Sequence, residues 1–144
     1  MLSDDYFMKM ALKEAETAYQ AEEVPVGAVV VFHDRIIARA HNLSERLNDV
    51  TAHAEMQAIT SAMNLLGAKY LTGCTVYVTV EPCIMCAGAL GWSQISRIVY
   101  GASDEKRGYS LFSPSPLHPK TEITSGIMEK ECSELMTSFF KRKR

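Results

Sequence analysis

Two short segments constrain this chain more than any others: His53-Ala54-Glu55 and Pro82-Cys83-Ile84-Met85-Cys86. Zinc favours thiolate and imidazole ligands in a tetrahedron. His53, Cys83 and Cys86 supply three such ligands and leave a fourth position for water, the pattern of a catalytic rather than a structural site. No second Cys-x-x-Cys and no His-x-x-x-His completes a closed four-ligand site. Taken alone, a Cys-x-x-Cys is equally a redox pair or a chance spacing. The upstream His-x-Glu and the preceding proline shift the balance to metal. A fold that uses these residues must bring His53 against Cys83 and Cys86.

Glu55 lies two residues beyond His53, roughly 200° around a regular helix, so the two side chains are not a chelating pair. The spacing suits a division of labour in which His53 holds the ion and Glu55 shuttles protons for the bound water. The plainer reading of Glu55 is a solvated carboxylate at a helix N-terminus. Both segments read as helix starts, with Thr51 as the N-cap of one and Pro82 in the first turn of the other. Zinc with two thiolates and a neutral imidazole carries no net formal charge, so it acidifies water less than an all-histidine site. The positive helix ends and Glu55 are expected to help.

The rest of the chain alternates helical and strand patterns. Phe7, Met10, Ala11, Ala15 and Ala18 recur at helical spacing between about Asp4 and Glu22. Pro25 and Gly27 break that helix. Residues 28–32 and 36–40 read as strands of a hairpin around His33-Asp34-Arg35. A polar loop, 43–50, follows Asn42. Helices are expected over 52–66, ended by Gly67, over 83–92 and over 129–140. Strands are expected over 75–80, 97–101 and 122–124. Residues 104–119 form a long Gly/Pro/Ser loop carrying Lys106, Arg107 and His118, all read as surface groups. This order implies an α/β fold, a three-layer α/β/α sandwich on one mixed sheet, with right-handed parallel crossovers. Neither a repeat nor a linker divides the chain, so 1–144 reads as one domain. Cys74 and Cys132 read as small apolar core residues.

The formal net charge of −2 argues against a general nucleic-acid binder. The basic end, Lys141-Arg142-Lys143-Arg144, reads as a solvated, frayed helix terminus unless the substrate is a polyanion. No apolar run approaches membrane-spanning length. The acidic start, Met1-Leu2-Ser3-Asp4-Asp5, lacks a signal-peptide pattern, so cytoplasmic location is the default.

With both motifs in place, the chain resembles the cytidine-deaminase-like fold and, more closely, the bacterial tRNA-specific adenosine deaminases. The His-x-Glu and Pro-Cys-x-x-Cys pair is the general signature of zinc deaminases. The likeness extends over Glu23–Val29, Asn42, Thr51–Glu55, Tyr77–Ala89 and Gly101–Asp104. It implies a five-stranded mixed sheet between helices, one Zn2+ per chain and a homodimer. It also implies a tRNA anticodon stem-loop as substrate, with the wobble adenosine converted to inosine. By the same resemblance Asn42 bonds the target base, the Ala54 amide reads the base edge and the Cys83 amide stabilises the tetrahedral oxygen. Asp104 then lies near the ribose, where a 2′-hydroxyl contact favours RNA over DNA. Val50 departs from the proline usual in the family. The rival activities are deamination of a free base or nucleoside (cytosine, guanine or cytidine) and a non-catalytic, RNA-binding zinc module. Glu55 argues against the latter, because a structural site needs no proton shuttle.

Overall fold

The computed structural model describes residues 2–143. Helix α1 (Asp4–Gln20) opens the fold, and its N-cap Ser3 accepts the Tyr6 amide at 3.2 Å. It stops short of Glu22, whose φ of 65° is left-handed. Strands β1 (Gly27–Phe32) and β2 (Arg35–His41) form the expected hairpin. Its turn needs only His33 and Asp34, at φ 50° and 61°. Two left-handed residues give a turn whose twist matches that of the flanking strands. Helix α2 (Ala54–Leu66), strand β3 (Cys74–Val80), helix α3 (Ile84–Ser93) and strand β4 (Arg97–Ala102) follow. A short 3-10 turn (Tyr109–Leu111) interrupts the long loop before β5 (Glu122–Ser125) and α4 (Glu129–Arg142). Gly67 closes α2 in the left-handed conformation, as expected.

The five strands lie in the order β2-β1-β3-β4-β5. Strand β1 is antiparallel to both neighbours, and β3, β4 and β5 are parallel. Strands β2, β3 and β4 therefore point the same way, and their C-terminal ends open on one edge. Side chains alternate across a strand, and β1 shows it. Val29 and Val31 join Phe7, Met8, Ala11 and Leu12 of α1 with Cys132 of α4. Ala28 and Val30 join Ala54, Ala58 and Ala62 of α2 with Ala87 and Leu90 of α3. The α/β/α sandwich is thus two apolar layers with the sheet between them. Cys74 and Cys132 are buried and free. Among the described residues, no helix is long and apolar enough to cross a membrane.

Two surface expectations change. Helix α4 does not fray at Phe140. The Arg142 guanidinium sits 4.2 Å from the Tyr19 ring centroid and donates to the Tyr19 carbonyl at 3.2 Å. Lys143 pairs with Glu22 at 2.7 Å. The basic end is thus docked on α1, because the buried Phe139 anchors the last turn against Tyr19; Arg144 lies outside the described residues. His118 is half-buried, its Nδ1 accepting the Lys120 amide at 3.1 Å. Lys106 and Arg107 are exposed, as expected.

Asp4 ties the start of α1 to the sheet. Arg97 grips it in a fork at 2.9 and 2.7 Å, and the Tyr77 hydroxyl donates to it at 2.7 Å. The Arg97 hydrogen bonds, ahead of an opposing push from burial, hold its carboxyl below the ordinary value. A depressed carboxyl stabilises the fold above its unfolded pKa, and this contribution is lost as pH falls through the folded value. Asp4→Asn should therefore cost about 1 kcal/mol at pH 7, the half-exposed pair being screened by solvent. Urea titrations should show the two proteins converging as pH falls below the ordinary aspartate value of about 3.9.

Candidate metal and catalytic site

The motif residues do meet. Strand β3 delivers Glu81-Pro82-Cys83 at its C-terminal end. Helix α2 brings His53 to the same edge. The His53 Nδ1 lies 3.6 Å from the Cys83 sulfur and 3.4 Å from the Cys86 sulfur. All three ligand atoms lie within 4.8 Å of one another. A tetrahedral zinc with ordinary Zn–N and Zn–S lengths has an N···S edge of about 3.6 Å. The protein's own atoms thus already stand at the corners such an ion requires, and the two thiols and the imidazole suit its softness. No other group of three His, Cys, Asp or Glu side chains among the described residues is placed to hold a metal.

The helix starts differ from the expected ones in an informative way. Helix α2 begins two residues later, with His53 itself as N-cap, and α3 one residue later, with Cys83 as N-cap. Thr51 instead donates its amide and hydroxyl to Asp49 at 2.8 and 2.7 Å, closing the preceding turn. Pro82 stands before the cap rather than inside the first turn. An N-cap residue is extended, so its side chain can project across the helix mouth instead of along its flank. His53 makes no capping hydrogen bond, and its imidazole is free for the site. First-turn amides serve the sulfurs instead. The Met56 amide favours the Cys86 thiolate, and the Cys86 amide favours that of Cys83.

The protons of the triangle are strongly redistributed. The hydrogen bond from the Cys86 thiol, against an opposing push from burial, brings Cys83 down to about 4. The same bond, reinforced by burial, pushes Cys86 well above the ordinary thiol range. Bonding to Cys83 raises His53. Glu55, 4% exposed, is pushed up to about 7, chiefly by burial. It is therefore not the solvated carboxylate of the plainer reading. It is a buried carboxyl in the second position of α2, two residues from the His53 cap.

The remaining named residues are close but occupied. Asn42, 6% exposed, follows β2; its Nδ2 donates to the Val24 carbonyl at 3.4 Å and its Oδ1 accepts the Ser44 amide at 3.1 Å. A primary amide so engaged keeps one N–H and one lone pair. Asp104, after β4, uses Oδ1 to accept the Lys106 and Arg107 amides, each at 3.0 Å. Ala54 is the first residue of α2. Two further buried carboxylates, Glu23 and Glu81, carry no signal in the sequence. Glu23 accepts the Glu45 and Arg46 amides at 3.0 and 2.7 Å. Glu81 accepts the Asp104 and Ser110 amides, each at 3.0 Å. Both lie inside segments quoted above, Glu23–Val29 and Tyr77–Ala89, but no spacing rule marks a carboxylate whose partners are distant backbone amides.

Comparison with known proteins places these features in context. Residues 1–102 match the cytidine and deoxycytidylate deaminase zinc-binding region. The chain is similar to a tRNA-specific adenosine deaminase of Agrobacterium fabrum, with 44% identity over 100% of this chain and 98% of that protein. Among solved structures it resembles a tRNA:A34 deaminase studied for A-to-I editing at the wobble position of transfer RNA. That match has 44% identity, a TM-score of 0.85, and covers 90% of this chain and 98% of the other. A guanine deaminase from Bacillus subtilis is also similar, with 38% identity, a TM-score of 0.68, and coverage of 71% of this chain and 66% of that one. Matched along its whole length and carrying the motif residues at one site, this chain belongs to the cytidine and deoxycytidylate deaminase zinc-binding family, on the side of the tRNA-specific adenosine deaminases.

Proposed function

We propose that this protein is a zinc-dependent hydrolase that converts adenosine to inosine at the wobble position of a tRNA anticodon. The observation that carries the reading is a buried carboxyl, Glu55, two residues from His53 in a three-ligand triangle of zinc dimensions. Full-length similarity to tRNA-specific adenosine deaminases supports the choice of substrate. His53, Cys83 and Cys86 hold the ion, which when bound supplies the Lewis acidity that readies a water for attack on an aminated ring carbon.

The chain's other residues follow from their places. Glu55 takes one proton from the water and passes it to the ring nitrogen beside the amino-bearing carbon; it then takes the second, from the hydroxyl on the tetrahedral carbon, and gives it to the amine, which leaves as ammonia while the carbonyl forms. A carboxyl raised to about 7 exchanges protons near neutrality, which is what a shuttle needs. Asn42 offers its remaining N–H and lone pair to the target base. The Ala54 amide reads the base edge, and the Cys83 amide bonds the oxygen of the tetrahedral centre. Asp104 contacts the ribose of the flipped nucleotide. Extruding that nucleotide costs least where it is already unpaired, as in an anticodon loop. The same reading makes the enzyme a cytoplasmic homodimer. In support, α3 leaves Trp92 85% exposed, beside Gly88, where an added Cβ would meet nothing.

Incubating the protein with an anticodon stem-loop, then sequencing the RNA, should reveal inosine at the wobble position. Free adenosine, cytidine, cytosine and guanine should turn over far more slowly; preference for one of them would establish the rival activity. Glu55→Ala should retain one zinc per chain by metal analysis and lose about 10²–10⁴-fold in kcat, the usual contribution of general acid–base catalysis. Metal-free protein should also report Glu55 through stability. Its pKa is higher folded than unfolded, so its contribution is full below pH ~4.5 and lost as pH rises towards about 7. Glu55→Gln should therefore stabilise the chelated protein by roughly 2–3 kcal/mol at pH 8 and bring no gain at pH 4.5, measured by urea unfolding.

A further inference from the structure

Glu81 takes no part in the chemistry above. It stands between β3 and the metal ligand Cys83, and it is 4% exposed. Among the described residues no cation pairs with it. A buried carboxylate without a counter-charge is costly unless hydrogen bonds fill its lone pairs. The loop after β4 fills them. Oε1 accepts the Asp104 amide at 3.0 Å; Oε2 accepts the Ser110 amide at 3.0 Å and the Ser110 hydroxyl at 2.6 Å. Gly108 lies flat on the same carboxyl, where an added Cβ would collide with it.

The backbone completes the fastening. The Glu81 amide donates to the Ala102 carbonyl at 2.8 Å, and the Tyr109 amide to the Pro82 carbonyl at 3.0 Å. Gly108 bridges to Cys83 itself. The loop carrying Asp104 is therefore attached to the segment carrying a metal ligand, and one carboxylate grips it at both ends. Oε1 fixes where Asp104 begins, and Oε2 fixes where the loop returns.

We propose that Glu81 is a positioning residue: it sets the place of Asp104 relative to Cys83, and through Asp104 the discrimination between ribose and deoxyribose at the target nucleotide. The proposal rests on the deaminase reading and on the ribose contact assigned to Asp104. It predicts an effect on substrate choice rather than on the reacting groups.

The test compares kcat and KM for an anticodon stem-loop and for the same stem-loop with a 2′-deoxy target nucleotide. The proteins are the wild type, Glu81→Gln, Asp104→Ala and the double variant, each checked for zinc content and melting temperature. In Glu81→Gln an amide group replaces an oxygen that faces N–H donors. Zinc should stay at one per chain, KM for the ribose substrate should rise by about tenfold with a smaller change in kcat, and the ribose preference should fall towards one. Asp104→Ala should do the same. The double variant should be no worse than the poorer single one, because residues acting as a unit are not additive. An unchanged ribose preference in either single variant with zinc bound, or losses that multiply in the double variant, would overturn the proposal. Should Glu81→Gln fail to fold, Ser110→Ala removes one hydrogen bond from an exposed residue and should lower the preference in the same direction; no change there would overturn it equally. A wild type inert on the stem-loop would instead overturn the deaminase reading.

Discussion

The starts of α2 and α3 approach so closely that one imidazole nitrogen reaches two sulfurs at 3.4 and 3.6 Å. Most of the fold serves that approach. Alanines line the layer beneath both helices, with Ala54, Ala58, Ala62 and Ala87 fully buried. Small side chains let the helices settle on the sheet without a bulky residue forcing their ends apart. The sheet fixes the other coordinate. Strands β2, β3 and β4 run the same way, so Asn42, Cys83 and Asp104 all follow C-terminal strand ends. Ligand sites in open α/β sheets form at that edge. Here the same geometry places the candidate metal ligands, the candidate base contact and the candidate ribose contact within a few residues of it.

The electrostatics follow from making ligands of the caps. A helix start normally satisfies its first amides with a capping oxygen. In this site first-turn amides of both helices favour sulfur instead, which supports a thiolate that burial alone would oppose. Glu55 lies in the same water-poor space, and burial, with the Cys83 charge in support, holds its proton on. One thiol is thus easily ionised and the carboxyl is not. Two acidic groups at one candidate metal site are pushed in opposite directions by their surroundings, which is the difference the proposed reading needs between a ligand and a proton carrier.

How far the sequence discloses this depends on the range of the interaction. The core is visible because apolar period reports burial: Phe7, Ala11, Ala15 and Ala18 in α1, and the run Val29–Val31 in β1, are all buried. The triangle is visible because ligand chemistry restricts residue type as well as spacing. The N-caps are misplaced by a local rule. Thr51 is a better capping residue than His53 by propensity, but the tertiary site needs an extended residue with a free side chain at that point. The basic end is misread for a related reason. Its residues are exposed, as a charge run usually is, but the position of Tyr19 on α1 gives Arg142 a ring and a carbonyl that keep the end from fraying. Glu23 and Glu81 carry no local signal at all, since their partners are backbone amides of loops remote in sequence.

Those two carboxylates explain how loops hold position around a site built on helices. A loop folded inward presents amides that must find acceptors. Glu23 takes two of them from residues 45 and 46, close after Asn42, and Glu81 takes amides from Asp104 and Ser110. An apolar residue at either place would leave those amides unpaired, and a neutral amide side chain would set donor against donor. A carboxylate, offering only acceptors, suits both. The candidate metal ligands and Glu55 thus ride on the starts of α2 and α3, whereas Asn42 and Asp104 ride on loops clamped from below. On the proposed reading, chemistry and substrate choice have separate supports, so a loop can change length or contacts on its outer face while the clamp and the candidate metal triangle keep their geometry.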